Sequence, residues 1–156
     1  MIEHRIGDIF EQRDLTFIIH QANLFCTFGA GIAAEIKRRY PYAYAADRET
    51  HNGEREKLGW YTVASDCKMM RPTIINLYSQ DGISATHRTT HYAAMGKALF
   101  DLEKFLRAHD PSDQDVGIPY GMGCGLAGGD WAVVLAIIES AFEKSPVRVV
   151  ICKKPV

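Results

Sequence analysis

The sequence is short of most of the features that would place a protein quickly. Its 18 Lys and Arg residues meet 19 Asp and Glu, a formal net charge of -1, and no long Lys/Arg run stands anywhere in its 156 residues. The electrostatic footprint of a duplex-binding protein is therefore missing, and nucleic acid is not a default partner. No stretch approaches the roughly 18 apolar residues of a membrane span. The opening MIEHRIGDIF has no basic segment followed by an apolar core, so no export signal is read there. The expectation is a soluble, cytoplasmic protein that does not engage membranes. Cysteine is scarce and scattered: Cys26, Cys67, Cys124 and Cys152 contain no C-x-x-C pair. Neither a zinc knuckle nor a disulfide scaffold is indicated, and the thiols are expected reduced. No internal repeat and no low-complexity segment appear. With 47% hydrophobic and 24% charged residues, the length suits one domain over residues 1–156 with a sizeable core.

What is present is an alternation of strand and helix patterns. TFIIHQAN (Thr16 to Asn23) reads as a buried strand, and GIAAEIKRRY (Gly31 to Tyr40) as a short helix whose basic last turn suits the helix dipole. Pro41 is expected to end or bend it. GWYTVAS and PTIINLYS follow as strands, joined by a turn at SDCKMMR. HYAAMGKALFDLEKFLRAH is an amphipathic helix, with Met95, Leu99, Leu102 and Leu106 at helical spacing. After a polar linker, DPSDQD, the short strand VGIPY leads into a glycine-rich loop. A final helix begins at Asp130 or Trp131, with Trp131, Val134, Leu135, Ile138 and Phe142 on one stripe, and VRVVIC closes as a buried strand. Strands alternating with helices predict an α/β fold with a sheet between helical layers.

Two loops rich in small residues lie after a strand and before a helix: FGAGI, with Gly29, Ala30 and Gly31, and GMGCGLAGGDW from Gly121 to Trp131. In an α/β sheet, ligands bind beyond the carboxyl ends of the strands, where helix N-termini offer unpaired N–H groups. Small residues let that backbone approach a phosphate closely. Glycines can also serve only a tight turn, but two such loops together favour a diphosphate. Neither matches G-x-x-x-x-G-K-[ST], and no G-x-G-x-x-G opens a helix with an acidic residue at the right distance, so the P-loop and the dinucleotide fingerprint both fit poorly.

IGDIF, IIHQANLFCTFGAGIAAEI, IINLYSQDG and GIPYGMGCGLAGGDW, in this order and over nearly the whole chain, resemble the macro domains. The nearest branch is that of ADP-ribose 1''-phosphate phosphatases, terminal ADP-ribose glycohydrolases and small bacterial and phage proteins. The resemblance implies a three-layer α/β/α fold with a mixed, mainly parallel sheet, and ADP-ribose, or an ADP-ribosylated macromolecule, as partner. No cofactor and no metal are implied. By position, Asp8 would accept from the adenine amino group, and the Ile9 backbone would orient the ring. Asn23 would contact the distal ribose, with Ala22 beside it among the ligand-binding residues. The loop from Gly29 through Ala30 and Gly31 to Ile32 and the loop of Gly123, Cys124, Gly125, Leu126 and Ala127 would grip the diphosphate and the distal ribose from two sides, and Gly121, Met122 and Gln80 would belong to the same ligand site.

For chemistry at the distal ribose the candidates are His20, Asn23 and Asp130, with Gln80 and Asp81 beside them. His20 has a side chain suited to proton transfer near neutral pH, and is equally readable as a structural histidine. Asp130 is placed either to cap the last helix or to bond a ribose hydroxyl or water. The glycohydrolase branch carries a lysine after the INLYS-type strand and an aspartate after GCGL. Here Gln80 or Asp81 and Ala127 stand instead, so the covalent lysine route lacks its residues and ADP-ribose 1''-phosphate becomes the leading substrate. A binder of ADP-ribose without catalysis, and a hydrolase acting on ADP-ribosylated protein or nucleic acid, are the alternatives. Cys124 lacks the arginine of a cysteine phosphatase. His87 and His91, at i,i+4 spacing, lack the acidic neighbour of a zinc helix.

Overall fold

The computed structural model describes residues 1–66, 71–84, 86–109 and 114–156. Six strands, β1 (Ile2–Ile6), β2 (Phe17–Asn23), β3 (Tyr61–Ala64), β4 (Thr73–Gln80), β5 (Asp115–Pro119) and β6 (Arg148–Lys153), form one sheet in the order β1-β6-β5-β2-β4-β3. All neighbours pair in parallel except β3, which runs antiparallel to β4 at the edge. The α/β expectation is met, as a mixed and mainly parallel sheet with helices on both faces.

Strand parity decides which face each residue serves. Ile19, Ile75, Leu77, Val116, Ile118, Val149 and Ile151 face the helices α3 (Tyr92–Ala108) and α4 (Trp131–Phe142), whose Leu99, Leu102, Leu106, Ile138 and Phe142 complete that core. Leu99, Leu102 and Leu106 are fully buried, each contributing on the order of 2 kcal/mol of apolar transfer. The residues between them, Ile18, Ala22, Ile74, Tyr78, Val150 and Cys152, face α1 (Gly31–Arg39) and α2 (Pro41–Arg48) through Ile36 and Ala43. Pro41 does more than stop a helix: it occupies the first turn of α2, where its missing N–H costs nothing and its fixed φ suits the helix. β1 is a further element that the charge alternation of the N-terminus did not reveal. The turn expected at SDCKMMR and the linker DPSDQD fall partly outside the described residues.

One feature of the register positions the site. β2 pairs with β4 along its whole length, with an irregularity at Ala22/Asn23, but with β5 only at Phe17 and Ile18. Beyond Gly117 the two central strands part, each still paired with its outer neighbour. The fork lies where the chain order reverses across β2, the place where open α/β sheets take their ligands.

Candidate functional site

A cleft of about 520 Å³ opens in this fork, at the carboxyl ends of β2, β4 and β5. Of the residues expected at a ligand, Ala22, Asn23, Gly29, Ala30, Gly31, Ile32, Gln80, Gly121, Met122, Gly123, Gly125, Leu126 and Ala127 line it. No charged side chain stands among its described lining residues.

One wall is the start of α1. Its N-cap position is held by Ala30, in the extended conformation and with no side chain to cap the helix. The other two long helices are capped, α3 by His91, whose Nδ1 accepts from the Ala94 amide, and α4 by Asp130, whose carboxylate accepts from the Ala132 amide. Ala34 N–H reaches the Ala30 carbonyl, which leaves the amides of Gly31, Ile32 and Ala33 without an acceptor among the described residues, as the first turn of any helix does. An uncapped helix start beside a cleft is a place for an anion. Asn23 shapes this wall from behind: its Oδ1 accepts from Phe25 N–H at 2.9 Å and its Nδ2 donates to Thr27 Oγ1 at 2.9 Å.

The other wall is the second loop, which begins where β5 ends. Cys124 N–H closes on the Gly121 carbonyl, Gly128 N–H on Gly125 and Gly129 N–H on Gly123. The amides of Gly125, Leu126 and Ala127 donate to no acceptor among the described residues. The cleft thus has two sets of three consecutive free amides, one on each bank of the fork.

Other expected residues are placed elsewhere. His20 is fully buried on the α1/α2 face, its Nε2 2.7 Å from Asn76 Oδ1 and its ring edge-on to Phe28. It is not among the residues that line the cleft, which corrects its reading as a proton-transfer group: its imidazole is held in the α1/α2 layer by Asn76 and Phe28, while Gln21, on the other face of β2, is turned away from it. Burial, opposed by the Asn76 bond, lowers its pKa to about 4. The unfolded chain, titrating near 6.5, therefore takes up a proton before the folded one does, and stability is lost as pH falls from about 6.5 toward 4. The loss amounts to about 3 kcal/mol if no other group compensates. Urea unfolding of the wild type and His20→Gln at pH 7 and pH 4.5 should show a smaller difference between the two pH values for the variant.

Asp130 acts as a cap, and its own amide donates to the Tyr92 hydroxyl. Cys124 turns off the lining and packs against the α3/α4 core; burial first, and then Asp130, raise its pKa, which opposes a nucleophilic role. Asp81 pairs with Arg55, while Gln80 donates to the Gly82 carbonyl. Asp8 caps a single turn over Ile9–Glu11 and, like Ile9, stands outside the lining of the cleft. His91 is occupied as a cap and His87 lies beside Ser84 and Thr86. Among the described residues no cluster of His, Cys, Asp or Glu could hold a metal, and no helix is long and apolar enough to cross a membrane.

Gln21, Thr27, Ala33, Ile83, Ser84, Pro119 and Tyr120 also line the cleft and were not singled out by the sequence. Gln21 could have been found, since it is the polar residue of β2 that parity turns away from His20. Tyr120 follows directly from its place at the end of β5. Ile83 and Ser84 carry no local signal.

No protein-family model matches the chain. It is 25% identical over 135 residues, 85% of this chain and 84% of the other, to a 17.5 kDa protein of phage T4 from the tk-vs intergenic region. A DNA ADP-ribosyl glycohydrolase of Mycobacterium bovis is 27% identical over 147 residues, which are 94% of this chain but only 40% of that longer protein. Among solved structures, the macrodomain of Mycobacterium tuberculosis DarG superposes with a TM-score of 0.78 at 26% identity, covering 97% of both chains. The architecture is the macrodomain fold.

Proposed function

We propose that the cleft binds ADP-ribose and that the protein hydrolyses a bond at its distal ribose, with ADP-ribose 1''-phosphate as substrate and ADP-ribose and phosphate as products. The observation that carries this reading is the pair of free amide sets on the two banks of an otherwise uncharged cleft. One ligand with two separate anionic groups, a diphosphate and a terminal phosphate, matches two such sets. The uncapped start of α1 takes the diphosphate, the Gly125 to Ala127 amides take the 1''-phosphate, and Asn23 lies at the ribose between them. Asp8 and the Ile9 backbone extend the site to the adenine. Backbone amides hold an anion without lysine or arginine, in keeping with the near-neutral chain. The glycohydrolase-type lysine has no counterpart among the described lining residues, so attack by water rather than by a side-chain nucleophile fits the lining better.

A second reading, removal of ADP-ribose from DNA, is favoured by the mycobacterial relative and the DarG macrodomain. It calls on the same diphosphate site but leaves the second amide set without a phosphate. Purified protein should release phosphate from ADP-ribose 1''-phosphate and leave ADP-ribosylated thymidine and guanosine intact. Release of ADP-ribose from either nucleoside with no phosphate release would replace the first reading by the second.

A further inference from the structure

We propose that Thr90 is the positioning residue for the second amide set, and that with Gln21 behind it this residue sets the preference for a phosphate on the distal ribose. The preference rests on the function proposed above; the positioning does not. Thr90 is 2% exposed and sits where three segments meet: the end of β2, the end of β4 and the second loop. A chain of donors runs in one direction through it. Ser79 Oγ donates to Gln21 Oε1 at 2.8 Å, Gln21 Nε2 donates to Thr90 Oγ1 at 3.1 Å, and Thr90 Oγ1 donates to the Gly123 carbonyl at 2.6 Å. A hydroxyl has one proton. Since Gln21 Oε1 already accepts from Ser79 and lies 3.4 Å from Thr90, that proton goes to Gly123.

The backbone of the same segment secures the other end of the loop. The amides of Thr89 and Thr90 both donate to the Ala127 carbonyl, at 2.9 and 3.1 Å, while Gly129 N–H adds a second bond to the Gly123 carbonyl at 2.8 Å. The carbonyls of Gly123 and Ala127 are thus each doubly bonded. The amides of Cys124 and Gly128, on those same peptide units, are spent on Gly121 and Gly125. What remains between the two pins is the run of Gly125, Leu126 and Ala127, three successive N–H groups of the kind that make an anion nest. The loop rests directly on the clasp: a Cβ at Gly123 would meet Gln21 Oε1 and Thr90 Oγ1, each at 3.0 Å. Nothing in this arrangement touches the α1 amides, so releasing the clasp should affect a 1''-phosphate and spare the diphosphate.

Thr90→Val keeps the shape of the side chain and removes the donor. It should raise KM for ADP-ribose 1''-phosphate roughly tenfold, the scale of one net hydrogen bond, while the Kd for ADP-ribose measured by calorimetry stays within about twofold, by the same reasoning. Thr90→Ser should restore KM, and Gln21→Met should reproduce the Thr90→Val effect more weakly if the latter folds poorly. Hydrogen exchange of the ligand-free protein provides the independent readout: the hydrogen-bonded loop amides of Gly128 and Gly129 should exchange faster in Thr90→Val than in wild type or Thr90→Ser, with the bonded amide of Ala34 in α1 unchanged. Unchanged exchange at Gly128 and Gly129 overturns the positioning role. Equal weakening of both ligands overturns the preference. A wild type that binds neither ligand refutes the functional reading while the exchange result still decides the role of Thr90.

Discussion

Ala30→Asp should make the protein more stable and, in the same substitution, weaken ADP-ribose binding on the order of a hundredfold. Ala30 is the N-cap of α1 in a conformation an aspartate adopts readily, and the helix has no other side-chain cap. An Asp carboxylate would accept from the free amides of the first turn, worth about 1 kcal/mol, and a thermal melt should shift upward by roughly 2 to 4 °C. The same carboxylate would stand where the diphosphate is proposed to sit. Two like charges about 4 Å apart at a protein surface oppose each other by about 4 kcal/mol, and solvent screening brings that down to the hundredfold expected in calorimetry. An unchanged Kd with a raised melting temperature would show that the anion does not use this helix. The opposite signs separate a binding effect from a folding effect without a further control.

Gly129→Ala should damage both stability and binding, and Gly125→Ala neither fold nor melt. A Cβ at Gly129 would come within 2.6 Å of the Gly123 carbonyl, the atom that Thr90 and Gly129 itself hold, so the loop would have to move off its clasp. Overpacking of this kind costs about 1 to 3 kcal/mol, and the amides of Gly125 to Ala127 would lose their spacing with it. At Gly125 nothing lies within 4 Å of the added atom and φ is not positive, so the melting temperature should match wild type. If Gly129→Ala bound ADP-ribose 1''-phosphate as tightly as the wild type, the second loop would have no part in the site.

Much of the lining of the cleft could be read from the residues alone because small residues and exposed backbone make up most of it, and backbone access is written in glycine. Gly29, Gly31, Gly121, Gly123 and Gly125 gave away both walls of the cleft, and an acidic residue before an apolar stripe gave the cap of α4. What stayed hidden depended on partners distant in sequence. His20 looked like chemistry because its position along β2 was right, yet the face it takes is fixed by Asn76 and Phe28, which no local pattern connects to it. Cys124 sits among lining residues but is drawn to the core by α3 and α4. Gln21 and Thr90 lie 69 residues apart, and neither spacing nor composition announces that they meet. Helix α2 was missed for a local reason, since proline marks a stop and a start equally well.

The early parting of β2 from β5 bears on what sets the width of the site. Their shared ladder ends at Ile18 and Gly117, after which one arm is braced by β4 and the other by β6. No strand pairing spans the gap between them; what ties the two arms across it is the side-chain link from Gln21 through Thr90 to the Gly123 carbonyl, so the width of the opening is held by side-chain bonds rather than by a ladder.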